Sequence, residues 1–131
     1  MPLKRYKILL VDDDPNMHRL VKFYLSEKEY NLECVTNGRS AHQKLQKAKF
    51  NLMISDIMMP VMDGITLISK IRAEGIDIPI IVTSAHNQEN IASAAIEAGA
   101  DKILEKPFSK EKLNAIIRDF ITKNLQLNTA L

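Results

Sequence analysis

The chain has 131 residues, of which 46% are hydrophobic and 26% charged, as in one ordinary globular domain. Eighteen basic and sixteen acidic side chains give a formal net charge of +2, too even a balance to indicate direct nucleic-acid binding. The single cysteine, Cys34, excludes an internal disulfide, and no apolar run reaches the roughly eighteen residues of a membrane span. We therefore expect a one-domain cytoplasmic protein that does not bind membranes.

Apolar runs alternate with helical periods along the chain, a pattern typical of a β/α protein with a parallel sheet. The first, third and fourth apolar runs are continuous, as expected for strands that helices cover on both faces. The five predicted strands are 7–11, 32–36, 52–55, 80–83 and 102–105.

Each predicted helix has a start or stop signal, which is a capping side chain, a proline in the first turn or a terminal glycine. In chain order these signals are Asp14-Pro15, Gly38, Asp63-Gly64, Gly75, Gly99 and Ser109. The apolar period is lost after the fifth helix. The sequence therefore predicts a domain over 1–124 and, over 125–131, a short tail or the start of a linker.

Polar side chains follow the strands at their carboxyl ends, where open parallel sheets bind ligands. Asp12 and Asp13 end the first strand and Asp56 the third, while Ser84 ends the fourth and Lys106 follows the fifth. Clustered carboxylates repel each other unless a hard cation lies among them, and Mg²⁺ suits such oxygen ligands. The pattern predicts a Mg²⁺ site where Asp56 attacks phosphorus and forms an acyl phosphate, with Ser84 and Lys106 binding the transferred group.

Ordered motifs over nearly the whole chain resemble those of response-regulator receiver domains. They are Val11-Asp12-Asp13, Ser55-Asp56-Ile57-Met58-Met59-Pro60 with Met62-Asp63-Gly64, Thr83-Ser84-Ala85, and Lys106-Pro107-Phe108. The resemblance implies an α/β, flavodoxin-like (βα)5 three-layer sandwich whose parallel five-stranded sheet has the order 2-1-3-4-5. It also implies a cis peptide bond between Lys106 and Pro107.

The resemblance further implies a role for each acid. Asp56 is expected to be the phosphoacceptor, which receives its phosphoryl group from a sensor histidine kinase or a phosphotransfer protein. Asp12, Asp13 and Asp56, with the main-chain carbonyl of Met58, are expected to hold Mg²⁺. Asp14, the third consecutive acid, is then only a helix cap.

Ser84 and Lys106 complete the predicted catalytic set with Asp56. Thr83 is the alternative hydroxyl, but strand alternation turns it away from Ser84. Met58 and His86 lie two residues after the acceptor and the hydroxyl, and they are expected to modulate hydrolysis of the acyl phosphate. His86 is otherwise interpreted as a solvated loop residue rather than a catalytic base.

The predicted output switch departs from the family pattern. Receivers usually carry Tyr or Phe three residues before the lysine, whereas this chain has Ile103, whose β-branched side chain is stiff. Output is therefore expected to use the loop after Ser84 and the helix beginning near Gln88. Helix four, strand five and helix five would form the face for a downstream protein, a fused output domain or a homodimer. The alternative is that Ile103 is simply a well-packed strand residue.

Three function classes fit these residues to different degrees. The leading hypothesis is a phosphorylation-controlled switch that catalyses its own modification and is not an enzyme acting on an external substrate. An aspartyl-nucleophile phosphohydrolase of the dehalogenase type wants an acid two residues after the nucleophile, where this chain has Met58. A phosphorylation-independent pseudo-receiver scaffold would be favoured by loss of the acceptor, an acid or the lysine, and none is lost.

Overall fold

The computed structural model describes residues 6–26 and 30–130, with side chains to residue 123. Residues 1–5 of the predicted domain and Leu131 of the predicted tail lie outside the described residues. Strands and helices alternate throughout. They are β1 (Tyr6–Val11), α1 (Pro15–Tyr24), β2 (Tyr30–Val35), α2 (Gly38–Lys47), β3 (Leu52–Asp56), α3 (Gly64–Ala73), β4 (Ile80–Ser84), α4 (Glu89–Ala98), β5 (Lys102–Glu105) and α5 (Lys110–Ala130).

The five strands form one parallel sheet in the order β2-β1-β3-β4-β5, which confirms the predicted flavodoxin-like topology. β3 and β4 each run one residue further than predicted. Asp56 is paired with Thr83 and Ser84 with Glu105, so two predicted site residues are the last members of their strands.

Alternate residues of each strand point to opposite faces of the sheet, and each face buries its own apolar core. Leu9 and Val11 pack with buried residues of α2, α3 and α4. Ile8 and Leu10 pack with residues of α1 and α5 on the other face. The helices therefore cover both faces and complete the three predicted layers.

The helix signals act as predicted. Asp14, Asp63 and Ser109 each accept a hydrogen bond from a backbone N–H in the first turn of their helix. α2 begins at Gly38 as predicted, but its capping side chain is that of Asn37. Gly75 follows α3 with a φ of 77°, a left-handed conformation that favours glycine.

The last helix differs from the prediction. α5 extends to Ala130, so the backbone of 125–130 is helical where the sequence predicted a tail without helical period. The segment contains neither Gly nor Pro, and propagating an existing helix costs far less than starting one. The boundary at residue 124 stays a prediction. Within the described residues, no helix has both the length and the apolarity needed to cross a bilayer.

Arg72 fastens the carboxyl end of α4, and the loop that follows it, to α3. Its Nε and Nη2 donate hydrogen bonds to the Gly99 carbonyl at 3.1 and 2.9 Å, and Nη2 lies 3.1 Å from Asp101 Oδ2. The amino end of α4 is held differently, because Gln88 makes no side-chain capping bond to the helix and instead accepts from the Ala85 N–H at 2.8 Å. Arg72 thus ties the end of α4 to α3, whereas Gln88 ties its beginning to the loop after β4.

Candidate functional site

The carboxyl edge of the sheet brings the predicted acids together. Asp12 follows β1 and remains tied to the sheet, because its N–H donates to the Val35 carbonyl at 3.1 Å. Asp13 comes next and Asp56 ends the neighbouring strand β3. One carboxylate oxygen of each acid lies within 4.8 Å of those of the other two. The parallel topology therefore creates the acid cluster that the sequence predicted.

Hydrogen bonds orient the two inner acids. Asp12 is 1% exposed; its Oδ1 accepts from the Asp14 N–H at 2.9 Å, and its Oδ2 lies 3.4 Å from Lys106 Nζ. Asp56 Oδ1 accepts from the Ile57 N–H at 2.9 Å, whereas Oδ2 lies 3.5 Å from Lys106 Nζ. One oxygen of Asp56 is thus held by backbone, and the other faces the lysine.

Burial raises the pKa of Asp56 above its ordinary value, and this is the largest influence on it. The Lys106 ammonium lowers the pKa, the charge of Asp12 raises it again, and the Ile57 N–H lowers it. Desolvation and a neighbouring acid thus outweigh the single lysine. The negative charge on Asp56 is incompletely compensated by the described residues.

The donor set fits a hard divalent cation. Three carboxylates lie close together at the carboxyl edge of the sheet. Mg²⁺ prefers oxygen ligands of this kind, with water completing its coordination. No described residue donates a hydrogen bond to the main-chain carbonyl of Met58, so that oxygen is not otherwise engaged. Its place as a further ligand stays a prediction.

The loop after Asp56 is built around a close backbone approach. The Gly64 N–H donates to the Ile57 carbonyl at 2.7 Å, and a Cβ on Gly64 would lie 2.4 Å from the Asp56 carbonyl oxygen. Only glycine fits at this distance. Within the same loop Val61 adopts a φ of 72°, a strained conformation for a β-branched residue that nothing in the sequence predicted.

The hydroxyl residues at the end of β4 are both buried. The Ser84 carbonyl accepts from the Lys106 N–H at 2.7 Å, which fastens the end of β4 to the segment carrying the lysine. The Ser84 hydroxyl makes no hydrogen bond within the described part of the chain, and Thr83 Oγ1 is likewise unpaired there. Ser84 therefore lies at the predicted edge, while its role stays a prediction. The Lys106-Pro107 peptide bond is cis, as the resemblance implied.

His86 and Ile103 lie outside the acid cluster. His86 is exposed, and its Nδ1 lies 2.9 Å from Glu105 Oε1. The hydrogen bond and charge of Glu105, with a smaller effect of Glu89, raise the pKa of His86. Ile103 is partly buried against the core that lies under α2, α3 and α4. Its packing agrees with the alternative of a well-packed strand residue, and its role in output stays a prediction.

One contact at the site was missed by sequence reasoning. His18 of α1 reaches back to the end of β1, where its Nε2 lies 2.7 Å from the main-chain carbonyl oxygen of Asp12. The only signal in the sequence is a histidine six residues after the first acid. That spacing does not by itself predict the direction of the ring.

Known proteins share this fold. The profile of the response regulator receiver domain family matches residues 8–118. The chain belongs to the response regulator receiver domain family. It is 38% identical to the transcriptional regulatory protein KdpE of Staphylococcus aureus and 36% identical to RprY of Bacteroides fragilis. These matches cover 86% and 84% of this chain, and 48% and 47% of the relatives.

The structural comparison agrees with this assignment. The chemotaxis response regulator CheY4 of Vibrio cholerae superimposes with a TM-score of 0.82 and 30% identity, over 89% of this chain and 99% of the other. This receiver domain spans about half the length of the curated relatives named above. Receiver domains are the phosphoacceptor signalling modules of response regulators.

Proposed function

We propose that this receiver domain accepts a phosphoryl group on Asp56 in a Mg²⁺-dependent reaction and thereby switches its output face. The observation that carries the proposal is the position of Asp56 within the acid cluster. One oxygen is oriented by the Ile57 N–H, and the other lies 3.5 Å from Lys106 Nζ. A carboxylate held in this way presents a lone pair to an incoming phosphorus atom.

The reaction transfers one phosphoryl group without an external oxidant or cofactor turnover. A carboxylate oxygen of Asp56 forms a bond to phosphorus as the bond from phosphorus to the donor histidine nitrogen breaks. The electron pair of the broken bond stays on that nitrogen, which takes up a proton. When bound by Asp12, Asp13 and Asp56, Mg²⁺ would neutralise negative charge among the carboxylates and the phosphoryl oxygens.

Lys106 and Ser84 would stabilise the product. Lys106 Nζ lies 3.4 and 3.5 Å from oxygens of two acids, so a short movement brings it onto a phosphoryl oxygen. Ser84 is buried, and its hydroxyl has no competing hydrogen bond among the described residues and is available to donate. Met58 and His86 would flank the approach of water that hydrolyses the acyl phosphate. The domain modifies only itself and turns over no external substrate.

The proposed partners are a sensor histidine kinase or phosphotransfer protein upstream, and a downstream protein or fused output domain, in the cytoplasm. The face for output, and for a homodimer, would be α4, β5 and α5. A surface depression already lies on this face. Its lining residues are Ile103, Glu105, Pro107, Phe108, Ser109 and Lys112.

Mass spectrometry after incubation with acetyl phosphate tests the proposal. We expect one phosphoryl adduct that needs Mg²⁺ and is absent in Asp56→Asn. Asp77→Asn makes the same chemical change at an exposed aspartate distant from the acid cluster and serves as the matched control. An adduct that persists in Asp56→Asn, or that forms equally in EDTA, would contradict the assignment.

A further inference from the structure

His18 joins α1 to the peptide that carries the two consecutive metal-binding acids. Its Nε2 lies 2.7 Å from the carbonyl oxygen of Asp12. A carbonyl oxygen can only accept a hydrogen bond, so Nε2 must carry the proton and donate it. The ring is partly buried against the loop that it closes.

The bonded oxygen belongs to the same peptide unit as the Asp13 N–H. Because the peptide bond is planar, fixing the Asp12 carbonyl also fixes the plane from which the Asp13 Cα departs. The hydrogen bond of His18 therefore restricts ψ of Asp12 and φ of Asp13 together. These two torsions set the direction in which the Asp13 side chain leaves the backbone.

Asp13 depends on its backbone more than the other acids do. Asp12 is held by the Asp14 N–H and Lys106, and Asp56 by the Ile57 N–H. The Asp13 carboxylate is exposed and accepts no hydrogen bond from any residue that the structure describes. Its placement within 4.8 Å of the other two acids therefore rests on the local main chain.

We propose that His18 is a positioning residue that aims the Asp13 carboxylate at the Mg²⁺ site through the peptide between Asp12 and Asp13. The inference rests on the proposed function, since it assumes that the acid cluster binds Mg²⁺. Partners that orient metal ligands in this indirect way typically change metal affinity by about tenfold or more when they are removed. His18 would change Mg²⁺ affinity through the position of the Asp13 carboxylate, because its ring is hydrogen-bonded to a main-chain carbonyl and not to a carboxylate ligand.

Titration with MgCl₂ by calorimetry tests the role of the donor. His18→Leu keeps bulk but removes the N–H, and we expect its Kd for Mg²⁺ to rise about tenfold. His18→Gln places an amide N–H at the same number of bonds from Cα, so it should retain most of the wild-type affinity. His42→Leu changes a histidine that contacts Glu74 on another face of the molecule and should leave the Kd unchanged.

A second measurement needs no substitution. Nitrogen NMR of the His18 ring should show a proton on Nε2 in the folded wild-type protein. A ring protonated only on Nδ1 would overturn the inference. So would equal Mg²⁺ affinity of His18→Leu and wild type, or an equal loss in the folded Leu and Gln variants.

The outcomes separate this inference from the proposed function. If the wild type binds no Mg²⁺, the proposed function fails and the role of His18 fails with it. If the wild type binds Mg²⁺ and forms the adduct on Asp56 while His18→Leu binds Mg²⁺ equally well, only the role of His18 is overturned.

Discussion

Replacing Asp56, the proposed acceptor, by Asn should stabilise the folded protein in the absence of a divalent cation. The carboxylate is surrounded by two other acids and one lysine, and burial raises its pKa. A charge in this position opposes folding at neutral pH, because the unfolded chain keeps the same charge fully hydrated. An amide of nearly the same shape removes that cost.

Distances in the acid cluster set the expected size. At an effective dielectric constant of about 20, an acid at the outer limit of 4.8 Å destabilises the Asp56 charge by about 3.5 kcal/mol. Lys106 at 3.5 Å stabilises it by about 4.7 kcal/mol. Two acids against one lysine leave a net cost of about 2 kcal/mol. Solvent screens the share of exposed Asp13, whereas burial adds a cost of the same sign. For a domain of this size, Asp56→Asn should raise Tm by roughly 6–10 °C.

The effect should depend on pH with a definite sign. Because the folded pKa of Asp56 is raised, wild-type stability falls as the pH rises from the unfolded value of about 3.9 through the folded one. Below this window Asp56 is protonated in both states, and the advantage of Asp56→Asn should disappear. Saturating Mg²⁺ should also reduce the difference in folding stability between Asp56→Asn and the wild type, because the bound ion would stabilise the wild-type carboxylates.

Urea unfolding followed by circular dichroism measures all three effects, at pH about 3 and 7 and with EDTA or Mg²⁺. Asp77→Asn is the matched control, since Asp77 is exposed and forms no ion pair with the described residues. The reasoning is refuted if Asp56→Asn gains nothing over this control at pH 7, or gains as much in acid.

Three further substitutions test other features. Met58 offers no hydrogen bond to orient water, so the acyl phosphate should persist for many minutes and decay faster in Met58→Asn; a wild-type decay within seconds, unchanged by the substitution, would contradict this. Gly64→Ala should lose about 1–3 kcal/mol of stability and slow adduct formation, because its Cβ would lie 2.4 Å from the Asp56 carbonyl oxygen. Arg72→Met should lower the free energy of unfolding by about 2–3 kcal/mol through its lost charged hydrogen bonds. Arg39→Met, at an exposed position, is its control, and equal urea midpoints would refute the clamp.

The fold and the acid cluster were predictable from the sequence because both follow from the ends of apolar strands. Asp12 and Asp56 come directly at or after buried runs, and parallel topology then brings them to one edge. The lysine was predictable for the same reason, since it follows β5 immediately. The helix caps were predictable because Asp14 and Asp63 each accept a hydrogen bond from a backbone N–H only two or three residues later in the chain.

The missed contacts depend on how separate elements rotate and bend. The hydrogen bond from His18 to Asp12 requires a particular rotation of α1 about its axis, which an apolar period fixes only approximately. The His86–Glu105 contact depends on the path of a loop, and so does the left-handed backbone of Val61, whose side chain is exposed. The extent of α5 was missed because a weak apolar period in 125–130 does not stop a helix that contains no breaker.

The two ends of α4 are tied to different parts of the molecule, so a shift of the loop after Ser84 would turn this helix about the end that Arg72 holds. Its ten residues span about 15 Å from the end clamped by Arg72 to the first turn beside Gln88. A rotation of about 10° around Gly99 therefore displaces that first turn by about 2.5 Å and leaves the last turn almost in place. A binding partner that contacts the first turn would sense any movement of the loop after Ser84 most strongly. A partner seated on the last turn would remain insensitive to it.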